Sequence, residues 1–495
     1  MSFWTLIGLP KMVRGIISGL LALITLVMPS SMFTTAEDTS KYMLGGDESF
    51  SYEEGSVWTL GYAQAVLTPE DVNSDTYYIA GYNTNNPAKG VLDDMYAKAV
   101  YLDDNTGSGG VILCAIDCVG ISRADINDIR KLVIESGKLS NVKSINICAT
   151  HTHSAVDTQG LWGKNFMSDG KNDEFMASLK QKTAEAIIKA YEARENGKLY
   201  YGTADASELL ADTRQPIDFD ATVTSIRFAP ENGGKNTYIV NFGCHAEMLG
   251  SKTEVISADF PAYMTKKIDE QTGGANVMFV NGAVGGLISG EALDDILNTE
   301  GFDCFKYTVE FGEKVADKVL GITNEKELKA ILNVKTQSVI VPCDNTALIL
   351  ARFIGVLNND MEKSSCTDVG IISEVSYMEL GDSQVGIFMI PGELYPELAS
   401  GNFLTSENSA NGTDAAYKPL NQMTDCEHSF VLGLCNDELG YIIPENDFFL
   451  HEWFEYFNIA YDAQGRKHYE ETNSVGPDTA KALLDAMDSL IASAK

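Results

Sequence analysis

The sequence predicts an α/β fold in which a large mixed sheet is layered against helices. One observation is the continuous apolar run VILCAI at residues 111–116, which is typical of a strand buried on both faces. Another is the helical spacing of apolar residues over 124–136, shortly after that run. The third is a second β-prone apolar run, SINICA, at residues 144–149. Strand, helix and strand in succession are the pattern of layered α/β proteins.

The remaining elements continue this alternation. In the first half, we predict strands at residues 223–228, 238–242 and 277–280, and helices at 174–196 (ended by Gly197) and from about 261 to 270. In the second half, a helix at about 305–319 precedes predicted strands at 330–341, 371–380 and 385–390. A closing helix carries its apolar residues on one face: Leu483, Leu484, Met487, Leu490 and Ile491. No linker or internal repeat interrupts the order, so we expect one large domain over residues 48–495.

The charge of the chain excludes one class of partner. It contains 36 Lys and Arg residues against 70 Asp and Glu residues, which gives a formal net charge of −34. Such a surface repels nucleic acid, and no basic cluster offsets it. The nine cysteines include no CxxC pair, so they do not decide between free thiols and disulfides.

The N-terminal segment has the composition of a secretory signal. Lys11 and Arg14 precede a short, uncharged apolar run at residues 15–28, and small residues then lead to Ala36. The run is shorter than the ~20 apolar residues that a membrane-spanning helix needs. We therefore predict a signal peptide over residues 1–36 and a secreted or cell-surface protein. An uncleaved membrane anchor is the alternative.

Two of the six histidines stand directly after the apolar run at 144–149, in the sequence ATHTHS. His151 and His153 are two residues apart, so on an extended backbone both side chains project to the same side. Neutral imidazole is a common zinc ligand, and a strand end is a rigid place for a ligand pair. Alternatively, both rings only cap the strand and bond to nearby loop carbonyls. The motif alone leaves both interpretations open.

Other segments offer partners for this pair. His245 follows the predicted strand at 238–242, and Glu393 follows the one at 385–390 in the sequence IPGEL. Tyr441 and Tyr469 lie in segments without a clear helical or strand pattern. Two histidines and a carboxylate with one open position are the ligand set of a hydrolytic zinc site.

The order of these motifs resembles the neutral, non-lysosomal ceramidase family. The resemblance extends from about Trp58 to Pro477 and includes LTP, ATHTHS, HAEML, SADFP, NGAVGG, PGE, GY, and YE followed by GP. It implies a large α/β catalytic domain with one catalytic Zn²⁺ per chain. We expect this chain to lack the C-terminal immunoglobulin-like domain of ceramidases.

The resemblance also implies roles for individual residues. The positions that match the family's zinc ligands are His151, His245, Glu393 and Tyr441. The positions that match polar groups around the substrate carbonyl are His153, Arg214 and Tyr469. The implied reaction is hydrolysis of the N-acyl bond of ceramide or another N-acyl compound by water that the zinc activates. His153 would act as an acid–base group or as an oxyanion donor, and Tyr469 and Arg214 would stabilise the oxyanion.

Two departures from the family bear on mechanism and substrate. NGAVGG replaces the family's GDVSPN segment, so Gly285 stands where the family has a serine that is sometimes assigned as the nucleophile, and Ala283 replaces its aspartate. Ser289 lies four residues further on. The sequence therefore favours attack by water over attack by serine. THTHSAVDTQG also replaces THTHSGPGG, which changes the pocket wall after His153.

These departures leave three hypotheses. The first is an exported zinc-dependent amidase acting on a small-molecule or lipid amide, with contact to a membrane surface as an additional expectation. The second is a metal-dependent hydrolase of an ester or phosphoester, although no second carboxylate-rich cluster accompanies the histidines. The third is a non-catalytic exported binding protein on the same fold.

Overall fold

The computed structural model describes residues 28, 32–34, 49–72, 76–286, 288–290, 302–363 and 368–495. The predicted signal segment, 1–36, lies outside these residues apart from Met28 and 32–34, so it stays a prediction. Within the described ranges, no helix has the length and apolar character needed to cross a membrane.

The strands are numbered here in chain order. Those of the first half are β1 Trp58–Val66, β2 Gly90–Val91, β3 Tyr96–Asp103, β4 Gly110–Ile116, β5 Val142–Ala149, β6 Glu195–Asp205, β7 Leu210–Asp212, β8 Thr222–Pro230, β9 Thr237–Phe242, β10 Val255–Ile256, β11 Asn276–Asn281 and β12 Ile288–Gly290. Those of the second half are β13 Lys326–Leu328, β14 Leu332–Pro342, β15 Met361–Lys363, β16 Val369–Leu380, β17 Val385–Met389, β18 Glu393–Leu394, β19 His428–Leu432, β20 Tyr441–Ile442, β21 Ala460–Tyr461 and β22 Lys467–His468.

The helices are fewer and longer. They are α1 Arg123–Glu135, α2 Asp173–Glu192, α3 Phe260–Thr272, α4 Cys304–Leu320, α5 Thr346–Phe353, α6 Pro396–Ser400 and α7 Thr479–Ala494. Side-chain caps start most of them. Ser122 accepts from the backbone of α1, Asn172 from α2 and Asn345 from α5.

The larger sheet is mixed. Its strands follow the spatial order β11-β9-β8-β6-β1-β3-β4-β5, and β13 pairs with β6 as a ninth strand among the described residues. The outer pairs β11/β9 and β4/β5 are parallel, whereas the central pairs are antiparallel. The smaller sheet has the order β14-β16-β17-β19, with β15 added to β16, and its β17/β19 pair is parallel.

The two sheets pack face to face between layers of helices. Along β4, Val111, Leu113 and Ala115 face the smaller sheet, where they form one core with residues such as Met378 and Ile387. The intervening residues of β4 face α1 and α2 in a second core, and α3 and α4 cover the part of the sheet formed by β9 and β11. The closing helix α7 packs on the outer face of the smaller sheet. Helix, sheet, sheet and helix form four layers, which confirms the predicted α/β fold.

One predicted boundary is wrong. The sequence predicts a helix to Asn196, but α2 ends at Glu192 and β6 begins at Glu195. Residues of β6 pair with both β1 and β8, and Leu199 and Tyr201 alternate into the core. Pairing on both sides favours the strand, and the helical spacing before it carries no signal of this distant partner.

A buried ion-pair network joins α1 to the smaller sheet. The Glu374 carboxylate on β16 accepts from Arg130 Nη2 at 2.6 Å and from Arg123 Nε at 3.0 Å. All three side chains are almost completely buried. Burial opposes ionisation of Glu374, but Arg130 and Arg123 outweigh it and lower the pKa of Glu374. The carboxylate therefore stays charged between its two cations.

We expect Glu374→Gln to destabilise the protein by about 3–5 kcal/mol, because it leaves buried Arg130 without its counter-charge and buried Arg123 with Asp360 alone, at 3.4 Å. Urea unfolding measures this change as a lower midpoint at an unchanged slope. Glu254→Gln is the matched control, because Glu254 pairs with Lys89 at an exposed position. A midpoint shift for Glu374→Gln no larger than that of the control would contradict the prediction.

Candidate metal centre

The strands that lead to the candidate ligands are brought together by one segment. β5, which precedes His151, lies at one edge of the larger sheet, and β9, which precedes His245, lies next to the other edge. Residues 433–436 connect the two edges. Gly433 N donates to Asn281 O at 3.1 Å on β11, and Ala149 N on β5 donates to Leu434 O at 3.0 Å. The ends of β5 and β9 therefore converge although their strands are not neighbours.

The side chain of Asn281 fixes this convergence. Its Nδ2 donates to Thr150 O at 3.2 Å and to Cys244 O at 3.0 Å, and its Oδ1 accepts from Cys244 N at 3.2 Å and Gly282 N at 3.0 Å. Thr150 and Cys244 are the residues directly before His151 and His245. One buried amide thus sets the position of both histidine backbones.

The hydrogen bonds of His151 and His245 decide which ring nitrogen faces the site. His151 Nδ1 lies 2.6 Å from Val119 O, and His245 Nδ1 lies 2.9 Å from Ile288 O. A carbonyl oxygen only accepts, so each Nδ1 carries the hydrogen. Each Nε2 then faces the Glu393 carboxylate, with Oε2 at 3.4 Å from His151 and 3.1 Å from His245. Backbone carbonyls on the outer nitrogens are the usual support of metal-binding imidazoles.

His153 belongs to the same group. Its Nε2 lies 3.2 Å from His151 Nε2, and the nearest nitrogens of His151, His153 and His245 all lie within 4.8 Å of one another. Its Nδ1 is buried without a hydrogen-bond partner among the described residues, 3.8 Å from Glu247 Oε2. Gly81 packs against the His153 ring so closely that a Cβ atom at this position would lie 2.5 Å from the ring. The three buried imidazoles form a group that could bind a metal ion.

Burial and mutual charge set the protonation of the site. Burial and the neighbouring His151 lower the pKa of His153 to about 3. Burial also opposes protonation of His245, but the hydrogen bond with Glu393 outweighs it and raises the pKa of His245 to about 9. Burial disfavours the charged form of Glu393 as well, yet His151 and His245 hold the pKa of Glu393 well below its ordinary range. The site therefore combines an ionised carboxylate with a neutral imidazole at His153.

The backbone of His151 is unusual for a residue with a side chain. Its φ of 64° lies in the left-handed region, which is uncommon for residues other than glycine, although asparagine, aspartate and histidine adopt it more often than the rest. Such conformations cost of order 1–3 kcal/mol and concentrate at functional sites. The turn at His151 is held by the contacts of Thr150 with Asn281 and of its own ring with Val119.

The two predicted tyrosines lie beside Glu393. Tyr441 pairs in register with Glu393 where β18 and β20 run parallel, and its ring centre lies 6.3 Å from that of Tyr469. Burial and the charge of Glu393 raise the pKa of Tyr441 well above its ordinary value, and burial and Glu470 do the same for the pKa of Tyr469. Both side chains are therefore neutral phenols in these surroundings.

Arg214 lies in a buried cluster of carboxylates. Its guanidinium donates to Glu470 Oε2 at 2.8 Å, to Glu471 Oε1 at 3.1 Å and to Asp447 Oδ2 at 3.3 Å. Glu470 directly follows Tyr469, so these contacts connect Arg214 to the tyrosine through the backbone. The direct role of Arg214 toward a substrate carbonyl stays a prediction.

Sequence reasoning missed two polar residues at His153. The Tyr82 hydroxyl donates to Glu247 Oε2 at 2.5 Å, and the same oxygen is the one closest to His153 Nδ1. Burial raises the pKa of Glu247, but the neighbouring His245 and His153 outweigh it and the pKa is lowered. The position of Glu247 in HAEML, two residues after His245, was the available signal. For Tyr82 the sequence offered none.

A cavity of about 210 Å³ opens beside the imidazoles. His151, His153 and Glu393 line one part of it, and apolar side chains line most of the rest, including Leu161, Trp162, Leu348, Ile349, Leu357 and Val475. Two polar atoms at its wall, Gln159 Nε2 and Glu438 Oε2, have no hydrogen-bond partner among the described residues. The cavity combines an apolar chamber with a few polar groups near the candidate ligands, as small-molecule sites do.

Comparison with known proteins agrees with this architecture. No protein-family model and no curated protein matches the chain. Among solved structures, the chain is similar to neutral ceramidase from Pseudomonas aeruginosa, with a TM-score of 0.66 and 14% sequence identity over 88% of this chain and 74% of that one. It is also similar to a ceramidase complexed with C2, with a TM-score of 0.64 and 14% identity over 88% of this chain and 75% of that one. The fold is that of the ceramidases, while the identity is too low to assign an activity.

We expect the purified protein to contain about one zinc per chain and His245→Ala to lose it, because the variant removes one of three strong ligands. Elemental analysis after dialysis measures the stoichiometry. His451→Ala is the control, since His451 lies outside the group. Equal zinc content in wild type and His245→Ala would contradict the assignment.

Proposed function

We propose that the chain is an exported zinc-dependent hydrolase that cleaves the N-acyl bond of ceramide or another N-acyl compound. The observation that carries the proposal is the convergence of His151 Nε2, His245 Nε2 and Glu393 Oε2, with both Nδ1 atoms held by backbone carbonyls. Tyr441, in register with Glu393, is proposed as the fourth ligand. Residues 1–36 are proposed as the signal segment and 48–495 as the catalytic domain.

The donor set fits zinc better than a harder cation. Two imidazole nitrogens and one carboxylate oxygen are typical of catalytic zinc, whereas magnesium and calcium prefer oxygen ligands. When bound, the zinc would supply an activated water molecule and polarise the substrate carbonyl. The ceramidase fold and the apolar cavity beside His151 support an amide with an apolar chain as the substrate.

The remaining site residues act around the carbonyl carbon. His153 is neutral in these surroundings and lies against His151, and we assign it to accept a proton from the attacking water and return it to the leaving nitrogen. Tyr469 is a neutral phenol near Tyr441 and can donate a hydrogen bond to the developing oxyanion. Arg214 is proposed as a second group that stabilises the oxyanion, and through its hydrogen bond to Glu470, the residue next to Tyr469, it would also position that tyrosine.

The loop at Gly285 leaves no space for a serine nucleophile. A Cβ at Gly285 would lie 2.7 Å from Glu393 O and 2.6 Å from Tyr395 Cδ2. Gly285 N also donates to Leu394 O at 2.9 Å, which places this loop directly against the strand that carries Glu393. A side chain here would displace the backbone of a proposed ligand. The packing therefore favours attack by water.

The assay that tests the proposal presents the purified protein with N-acyl amides and with phosphoesters, with and without a zinc chelator. We expect chelator-sensitive release of amine, and we expect His153→Ala to retain zinc while its turnover falls by about 10²–10⁴-fold, since it loses an acid–base group. Turnover of phosphoesters alone would contradict the amidase assignment. Loss of zinc from His153→Ala would make His153 a ligand.

We expect no acyl-enzyme during turnover, because Gly285 offers no hydroxyl group. Mass spectrometry of enzyme quenched in the steady state measures this, together with the absence of a burst of released amine. Ser289→Ala provides the control and should turn over nearly as fast as wild type. An acyl mass on the peptide that contains Ser289 would overturn attack by water.

A further inference from the structure

One cation lines the apolar part of the cavity. Among the described residues that line the cavity, Arg352 is the one that is a lysine or an arginine. Its neighbours there include Leu348, Ile349, Leu357 and Met361. Arg352 lies in the last turn of α5 and is half-buried. A charged group in such a wall usually fixes the orientation of a ligand.

Neutral groups hold the Arg352 guanidinium. Nε donates to Asn359 O at 2.9 Å, and Nη2 lies 3.4 Å from Met32 O. Within the described ranges, no carboxylate lies within ion-pair distance of it. The nearest acid in its sequence neighbourhood, Asp360, pairs with Arg123 at 3.4 Å. The Asn359 carbonyl, which remains in a chain without the proposed signal segment, thus orients the fork of nitrogens, and among the described residues Asp360 attracts its charge only from beyond ion-pair distance.

The other described arginines show how unusual an arginine without an ion pair is in this protein. Five of the seven arginines in the described residues form ion pairs: Arg123, Arg130, Arg214, Arg227 and Arg466. The sixth, Arg194, stacks on Tyr191 at 3.8 Å away from the cavity. In a chain with a net charge of −34, carboxylates are abundant, yet none of those that the structure describes lies within ion-pair distance of Arg352.

An oriented guanidinium in apolar surroundings favours an anionic ligand group. Burial lowers the pKa of Arg352, and Asp360 acts in the opposite direction. A planar fork recognises carboxylates and related oxyanions through parallel hydrogen bonds, and these charge-assisted bonds are stronger where water is excluded. Since Arg352 is the one such cation at the described wall, a single negative charge suits it better than a phosphate dianion.

We propose that Arg352 binds a monoanionic group, a carboxylate or sulfonate, at the end of the substrate's apolar portion. This inference rests on the proposed function and narrows its substrate class to N-acyl compounds whose apolar chain ends in an anion. The candidate ligands and Arg352 line the same cavity, so one molecule can contact both.

Matched pairs of N-acyl amides test the proposal. The two members of a pair have the same apolar chain, which ends in a carboxylate in one and in the methyl ester of that carboxylate in the other. The pairs cover a series of chain lengths. We expect wild type to prefer the carboxylate at its best chain length by about 10- to 100-fold in kcat/KM. Arg352→Gln should abolish this preference while its rate on the ester stays within about twofold of wild type. Arg352→Lys should retain part of the preference, because it keeps the charge but not the fork.

Arg194→Gln is the control, because it removes an arginine without an ion pair away from the cavity, and it should keep the full preference. A sulfonate-ended chain distinguishes the two anions. Equal turnover of carboxylate and ester by wild type, or a preference that survives in Arg352→Gln, would overturn the proposal.

If no amide is hydrolysed, the proposed function fails. Calorimetric binding of the same pairs to wild type and Arg352→Gln then still tests the anion site.

Discussion

The candidate site depends on the amide side chain of Asn281. Three of its four hydrogen bonds reach the residues before His151 and His245, which follow strands near opposite edges of the larger sheet. Without a donor there, Thr150 O and Cys244 O would be buried carbonyls lacking a partner, which costs about 1–3 kcal/mol each. The two imidazoles meet Glu393 because this one interaction holds both strand ends in place.

The sequence predicted the parts of the site that follow strand ends. His151, His245 and Glu393 each come shortly after an apolar run, and the carboxyl end of a strand is a common place for functional residues. The strand pattern could not show that β5 and β9 converge, because the closing segment at 433–436 lies far away in sequence. Asn281 and Tyr82 were missed for the same reason, since their contacts exist only after the sheets have packed. The predicted helix that extended past the end of α2 was an error of the same kind, because the strand pairing of β6 also forms only in the packed sheet.

The departures from ceramidases have a common physical consequence at this site. Gly285 allows its loop to pack directly against the Glu393 strand, which excludes a serine side chain. The altered wall after His153 places Gln159 beside the cavity, and α5 brings Arg352 to it. The proposed metal ligands thus lie at strand ends of a fold that is similar to that of ceramidases, and Gln159 and Arg352 line the cavity beside them.

His151, His245 and Glu393 are proposed to hold one zinc ion. Anomalous diffraction from crystals of the protein as purified, measured on both sides of the zinc absorption edge, tests it most directly. We expect one strong peak about 2.0–2.2 Å from Nε2 of both histidines and from the Glu393 carboxylate. A well-ordered site with no peak, or a peak whose ligands do not include Glu393, would contradict it.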